Sequence, residues 1–206
     1  MLTLGAILYD NFELLDLYGP LEMFGTLGDD VRIVTIADTK GPIASTQGPK
    51  TVAEEDFSTA PPLDLMVIPG GIGTFPALEN AGLLSFLRDR ADQTTFMMSV
   101  CTGSGLLAAA GLLDGKRATT NKMFFQMVAD LTDKVTWVEN ARWVTDGKMV
   151  TSSGVSAGTD MALAVIAELF GTERAEQIAV FTEYQWHRDA DSDPFTAYLN
   201  QGNRPG

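Results

Sequence analysis

The sequence holds one cysteine, Cys101, and one histidine, His187, in 206 residues. A single cysteine excludes an intrachain disulfide framework, and with one histidine beside it there is little material for a transition-metal site. Positive charge is also scarce, with 14 Lys and Arg against 27 Asp and Glu and a formal charge of −13. A polyanion would be repelled by that field and no basic cluster offsets it, so nucleic acid is not an expected partner. No apolar stretch approaches the roughly 20 residues of a membrane span. The opening MLTLGAILYDNFELLDL is apolar but carries acidic residues and no basic leader. These absences predict a soluble, cytoplasmic protein that does not rely on metal chemistry.

What is present is a glycine-punctuated chain, 45% hydrophobic with 20 glycines, long enough for one domain over residues 1–206 with a full core. Short apolar runs at Leu2–Tyr9, Val31–Ala37, Leu63–Ile68, Thr95–Val100 and Met149–Ser152 read as strands. They are continuous rather than alternating, as expected for strands of a parallel sheet buried on both faces. Between them lie helix patterns at Leu14–Phe24, Glu79–Ala91, Gly103–Gly111, Lys122–Leu131, Ala157–Phe170 and Glu173–Tyr184, with Gly171 as a terminator and Thr172 as an N-cap. The alternation predicts an α/β three-layer sandwich, its mainly parallel sheet covered by helices on both faces. Ile43–Val52, with Gly48, and Ala141–Val150, with Asp146-Gly147, read as hairpins appended to that sheet. Trp186–Gly206 reads as an irregular tail.

Ligands of such sheets gather beyond the carboxyl ends of the strands. There the chain delivers Asp10, Glu13 and Asp16, then Pro69-Gly70-Gly71-Ile72-Gly73, then Ser99-Val100-Cys101-Thr102-Gly103, then Ser153-Gly154-Val155. Small-x-Cys-x-Gly is the spacing of a nucleophile elbow, a sharp strand-to-helix turn that strains its central residue. A helix N-terminus and free amides beside Cys101 would favour the thiolate, while the plain alternative is a small buried hydrophobe. Asp16, set among leucines, is either a carboxylate with raised pKa fit for proton transfer or an ordinary capping Asp. The N–H groups of Gly70, Gly71 and Thr102 could form an anion pocket. Gly71-Ile72-Gly73 runs on to Pro76 after an internal strand and does not read as a dinucleotide fingerprint. Gly154 reads first as close helix packing, with Val155 a possible pocket wall. Phe12, Phe75, Met123, Phe124 and Phe125 could line an apolar pocket or fill the core. His187, near the polar tail, reads as a surface or interface residue.

Taken together these segments resemble the ThiJ/PfpI superfamily. The resemblance rests on Leu15-Asp16-Leu17-Tyr18-Gly19-Pro20, Pro61-Pro62-Leu63-Asp64, Ile68-Pro69-Gly70-Gly71, Ser99-Val100-Cys101-Thr102-Gly103, Ala109-Ala110-Gly111-Leu112-Leu113-Asp114-Gly115, Arg117-Ala118-Thr119-Thr120 and Thr159-Asp160-Met161-Ala162-Leu163. It implies a flavodoxin-like fold, a homodimer and a reactive Cys101. Members that are proteases, and many of glyoxalase type, follow the cysteine with His and carry an N-terminal Glu, where this chain has Thr102 and Asp16. Leu-Asp-Leu-x-Gly-Pro with Cys-Thr-Gly is similar to isocyanide hydratases and to the N-terminal domains of AraC-type regulators. The hydratase subgroup implies Cys101 and Asp16 as catalytic residues of isonitrile hydration to an N-formamide, a reaction on a small-molecule substrate with no cofactor, with a glyoxalase-type enzyme or a redox and stress sensor as the rival expectations. Asn121 departs from the His found in many relatives and bears on pocket shape.

Overall fold

The structure, a computed structural model, describes residues 1–203. In chain order, β1 (Leu2–Ile7) leads into α1 (Leu14–Gly25), then β2 (Val31–Ala37), β3 (Gly41–Ala44), β4 (Lys50–Ala53), β5 (Glu55–Asp56) and β6 (Leu65–Ile68). Next come α2 (Thr74–Ala77), α3 (Ala81–Ala91), β7 (Phe96–Val100), α4 (Ser104–Ala109), β8 (Arg117–Ala118), α5 (Phe125–Ala129) and β9 (Thr136–Trp137). The described chain closes with β10 (Trp143–Asp146), β11 (Met149–Ser152), α6 (Ala157–Phe170), α7 (Thr172–Phe181) and short 3₁₀ turns.

Seven strands form the central sheet in the order β10-β11-β7-β6-β1-β2-β5. Every neighbouring pair is parallel except β10 with β11. β6 is buried at all four residues. Its apolar Leu-Met-Val-Ile run suits a strand covered on both faces. The register sets Ile68 beside Ser99 and Ser99 beside Thr151, aligning the ends of β6, β7 and β11. Helix α1 packs on α6 and α6 on α7 as one layer, while α4 packs among α2, α3 and α5 as the other. The three-layer expectation therefore holds.

Boundaries moved where side chains found other work. Asn80 caps α3 by accepting a hydrogen bond from Leu83 N at 3.0 Å, so that helix begins at Ala81 rather than Glu79. The expected Lys122–Leu131 helix shrinks to α5, because Asn121 Oδ1 accepts from Phe124 N at 3.1 Å and Lys122 turns inward. Thr172 is not a cap: it is the first residue of α7, behind Gly171 at φ 89°, and makes no capping bond. The elbow helix opens with a 3₁₀ turn at Cys101–Gly103 before α4. Of the two hairpins, β10–β11 joins the central sheet, but β3–β4 forms a two-stranded sheet of its own. The tail is irregular apart from 3₁₀ turns at Pro194–Tyr198 and Gln201–Asn203, and its last three residues lie outside the described ones.

Candidate active site

The turn after β7 holds Cys101 at φ 56°, in the left-handed region that residues with a β-carbon avoid. Such a conformation costs on the order of 1–3 kcal/mol and persists only where the surroundings fix it. Here Cys101 N donates to Ser153 O at 3.2 Å, and its carbonyl accepts from Thr120 Oγ1 at 2.9 Å and Ser104 Oγ at 3.2 Å. The glycine two residues on is a steric requirement: a β-carbon at Gly103 would lie 2.6 Å from the carbonyl oxygens of both Ile68 and Pro69. The elbow read from the spacing is therefore present in the backbone.

Asp16 sits in the first turn of α1, fully buried. Its Oδ2 accepts from Gly70 N at 2.9 Å. Its Oδ1 makes no hydrogen bond of good geometry and has the Cys101 thiol as polar neighbour. Burial drives this carboxyl well above the usual carboxylate range, against the Gly70 hydrogen bond, and the negative charge of Glu13 adds to the rise. The same burial, followed by the Asp16 carboxylate, pushes the Cys101 thiol up, while the Thr102 amide and Asn121 pull it down. The sequence pointed to a thiolate favoured by a helix N-terminus. The amides are indeed there, but desolvation outweighs them, and both groups are shifted toward their protonated forms.

The three amides expected to bind an anion are mostly occupied. Gly70 N holds Asp16, and Gly71 N donates to Thr102 Oγ1 at 3.0 Å, leaving the Thr102 amide to face the sulfur. Gly70 is needed for closeness, since a β-carbon there would fall 2.6 Å from Thr102 N and 2.9 Å from Asp16 Oδ2. Beneath them Thr102 Oγ1 lies 2.9 Å from Thr74 Oγ1, which lies 3.0 Å from Tyr9 Oη, and Tyr9 donates to Pro69 O at 2.6 Å. One consistent run of protons goes from Gly71 through Thr102, Thr74 and Tyr9 to Pro69. No motif in the sequence singled out Tyr9 or Thr74, because they meet only through the fold.

Above the thiol lies a pocket of about 130 Å³, lined by Glu13, Gly71, Ile72, Phe75, Cys101, Thr102, Asn121, Phe124 and Val155. The aromatics thus divide: Phe12 and Phe125 are core, Phe75 and Phe124 line the pocket, and Met123 is exposed on a neighbouring chamber. Glu13, at the N-cap position of α1, stands at the pocket, its Oε1 accepting from Gln47 Nε2 at 2.6 Å. Gly154 serves the site rather than sheet packing: a β-carbon would strike Asn121 Nδ2 and lie 3.4 Å from Cys101 Sγ. Close helix–sheet approach falls instead to Gly158, where a β-carbon would sit 2.7 Å from Val100 Cγ2. His187 is exposed and lines neither cavity; its N–H donates to Asp160 Oδ1 at 2.8 Å and its Nε2 lies 3.1 Å from Ser192 O. Among the described residues no group of three or more His, Cys, Asp or Glu is placed to hold a metal ion, and no helix is long and apolar enough to cross a membrane.

Known proteins are similar to this chain in sequence and fold. The chain is 36% identical over 188 residues to the isonitrile hydratase of Pseudomonas putida, covering 89% of this chain and 78% of that protein. It superposes on a ThiJ/PfpI family protein from Pseudomonas syringae with a TM-score of 0.80 and 34% identity, covering 94% of this chain and 76% of the other. A different kind of relative is the HTH-type transcriptional regulator GbdR of Pseudomonas aeruginosa, 28% identical over 89% of this chain but only 51% of its own length. The model of the DJ-1/PfpI family matches residues 5–168, from within β1 to near the end of α6. The chain belongs to the DJ-1/PfpI family.

Proposed function

We propose that the protein is a cysteine-dependent isonitrile hydratase, converting R–N≡C and water to an N-formamide. The observation that carries this is the buried pair: a strained Cys101 at the floor of an apolar pocket, beside a buried carboxyl whose hold on its proton is strengthened by desolvation. An isonitrile carbon must gain both a nucleophile and a proton, and the pair supplies both. The Cys101 sulfur forms the S–C bond, the Asp16 carboxyl gives its proton to that carbon, and Asp16 recovers the proton of the thiol. Water then adds across the C=N bond of the thioimidate, its oxygen to carbon and one proton to nitrogen, with Asp16 as relay. Collapse breaks the C–S bond, releases R–NH–CHO and restores the thiol.

Similarity to the Pseudomonas putida isonitrile hydratase supports the reading, as does an apolar pocket suited to an uncharged substrate. A glyoxalase-type reaction is less well served, since the single histidine lies outside the pocket. A sensor built on an exposed low-pKa thiolate fits poorly with a cysteine 5% exposed whose thiol is pushed up. The test is formamide production from isonitriles, followed beside methylglyoxal loss. Cys101→Ser should abolish hydration, and Asp16→Asn should lower kcat by about 10²–10⁴-fold. Formamide formed at the wild-type rate by Cys101→Ser would sink the proposal.

A further inference from the structure

A second chamber, of about 310 Å³, adjoins the thiol pocket and shares Asn121 and Val155 with it as a common wall. Its remaining apolar sides are Leu15 from α1, Met123, and Phe195 and Tyr198 from the C-terminal segment. The one cationic or anionic side chain among its lining residues is Lys122, whose ammonium is already spent on Thr119 Oγ1 at 2.9 Å and Ala141 O at 2.7 Å. The C-terminal segment is fastened to the chamber's side next to Asn121: Asn200 N donates to Lys122 O at 2.8 Å and Gly202 N to Met123 O at 3.1 Å. Phe195 and Tyr198 lie outside residues 5–168, the part matched by the family model.

The thiol pocket, at about 130 Å³, is too small to hold an N≡C head and a ring together. A bulky R group on that head extends beyond the thiol pocket, and Asn121 and Val155 are the side on which the second chamber adjoins it. An apolar cavity of about 150 Å³ is enough to take benzene, so the second chamber is ample for one ring.

We propose that this chamber is the subsite for the R group of the substrate, that the group it takes is a bulky uncharged hydrocarbon, and that Phe195 and Tyr198 set the preference. The inference rests on the hydratase reading for the identity of the reacting head, but not for the chamber. Both aromatics are about half exposed, 50% and 52%, so truncating them leaves the core intact.

The experiment compares benzyl isonitrile with methyl isonitrile on wild type, Phe195→Ala and Tyr198→Ala, with Phe195→Leu as a conservative control. The expected result is a rise of about tenfold in KM for the benzyl substrate, as for other lost apolar contacts, with kcat unchanged and the methyl substrate unaffected. Phe195→Leu should recover part of the loss. A parallel arm alkylates Cys101, the only cysteine of the chain, with N-benzyl iodoacetamide and with iodoacetamide. The wild-type preference for the benzyl reagent should fall in both alanine variants. If wild type hydrates no isonitrile, the hydratase reading fails and the alkylation ratio alone decides on the chamber. Equal losses for small and bulky reagents, or an unchanged ratio, overturn the subsite. So does a changed oligomeric state with unchanged selectivity, which would make these aromatics an interface.

Discussion

The Asp16 carboxylate makes the Cys101 thiol harder to ionise, and that coupling has a measurable sign. Burial and the Asp16 carboxylate both raise the thiol. Alkylation of Cys101 by iodoacetamide should therefore keep accelerating above pH 8.5, the usual midpoint for a free thiol of about that value. Asp16→Asn removes the opposing charge while leaving an uncharged group of similar size, so the midpoint of the rate profile should move down. A midpoint that stays or rises in Asp16→Asn would refute the coupling. The cysteine was legible in the sequence because its neighbours are constrained locally: Ser99 and Gly103 flank the strained residue within one turn. That Asp16 faces it was not legible, since nothing within the first helix states which strand end lies opposite. Even the direction of the thiol shift was misjudged, because local amides are visible in a sequence and desolvation is not.

At the scale of elements, the elbow is a contact between two strand ends. Gly103 lets α4 start within 2.6 Å of where β6 ends, measured from its missing β-carbon to Ile68 O and Pro69 O. Gly103→Ala must force these elements apart, at about 1–3 kcal/mol for overpacking of this kind. It should lower the urea midpoint and, by tilting Cys101, reduce activity as well. A folded variant with unchanged stability and rate would show that the turn yields freely. Strands such as β2, Val31–Ala37, and β11, Met149–Ser152, have the boundaries read from their apolar runs. The long buried helix α6, Ala157–Phe170, does too. The short pieces β5, β8, β9 and α2 were missed, since two to four residues carry no periodicity. Lys122 illustrates the other failure: its ordinary helical pattern gave no sign that the side chain would be buried against Thr119 and Ala141, which ended the helix register there.

Across the whole molecule, a buried charge cluster ties the tail to the body. Arg142 Nε donates to Asp160 Oδ2 at 2.7 Å, and Asp160 Oδ1 accepts from Tyr184 Oη at 3.1 Å and His187 N at 2.8 Å. Arg142 also lies 3.7 Å from Asp193, just ahead of the turn that carries Phe195 and Tyr198. Arg142→Met leaves Asp160 buried without its cation, while Asp193 keeps Lys122 at 4.0 Å, and the loss should cost about 3–5 kcal/mol of stability in urea unfolding. A loss under about 1 kcal/mol would mean the cluster adds little. The order of strands has a further consequence for how the site comes into being. β6 lies between β1 and β7, so the chain segments that carry Asp16 and Cys101 pair with β6 and never with each other. Until β6 is seated, the cysteine is an ordinary water-exposed thiol, more ionised at neutral pH than in the finished sheet. A brief pulse of thiol reagent during refolding would thus mark the molecules whose central strand has not yet docked and spare those in which it has. The residue proposed to do the chemistry doubles as a clock on its own assembly.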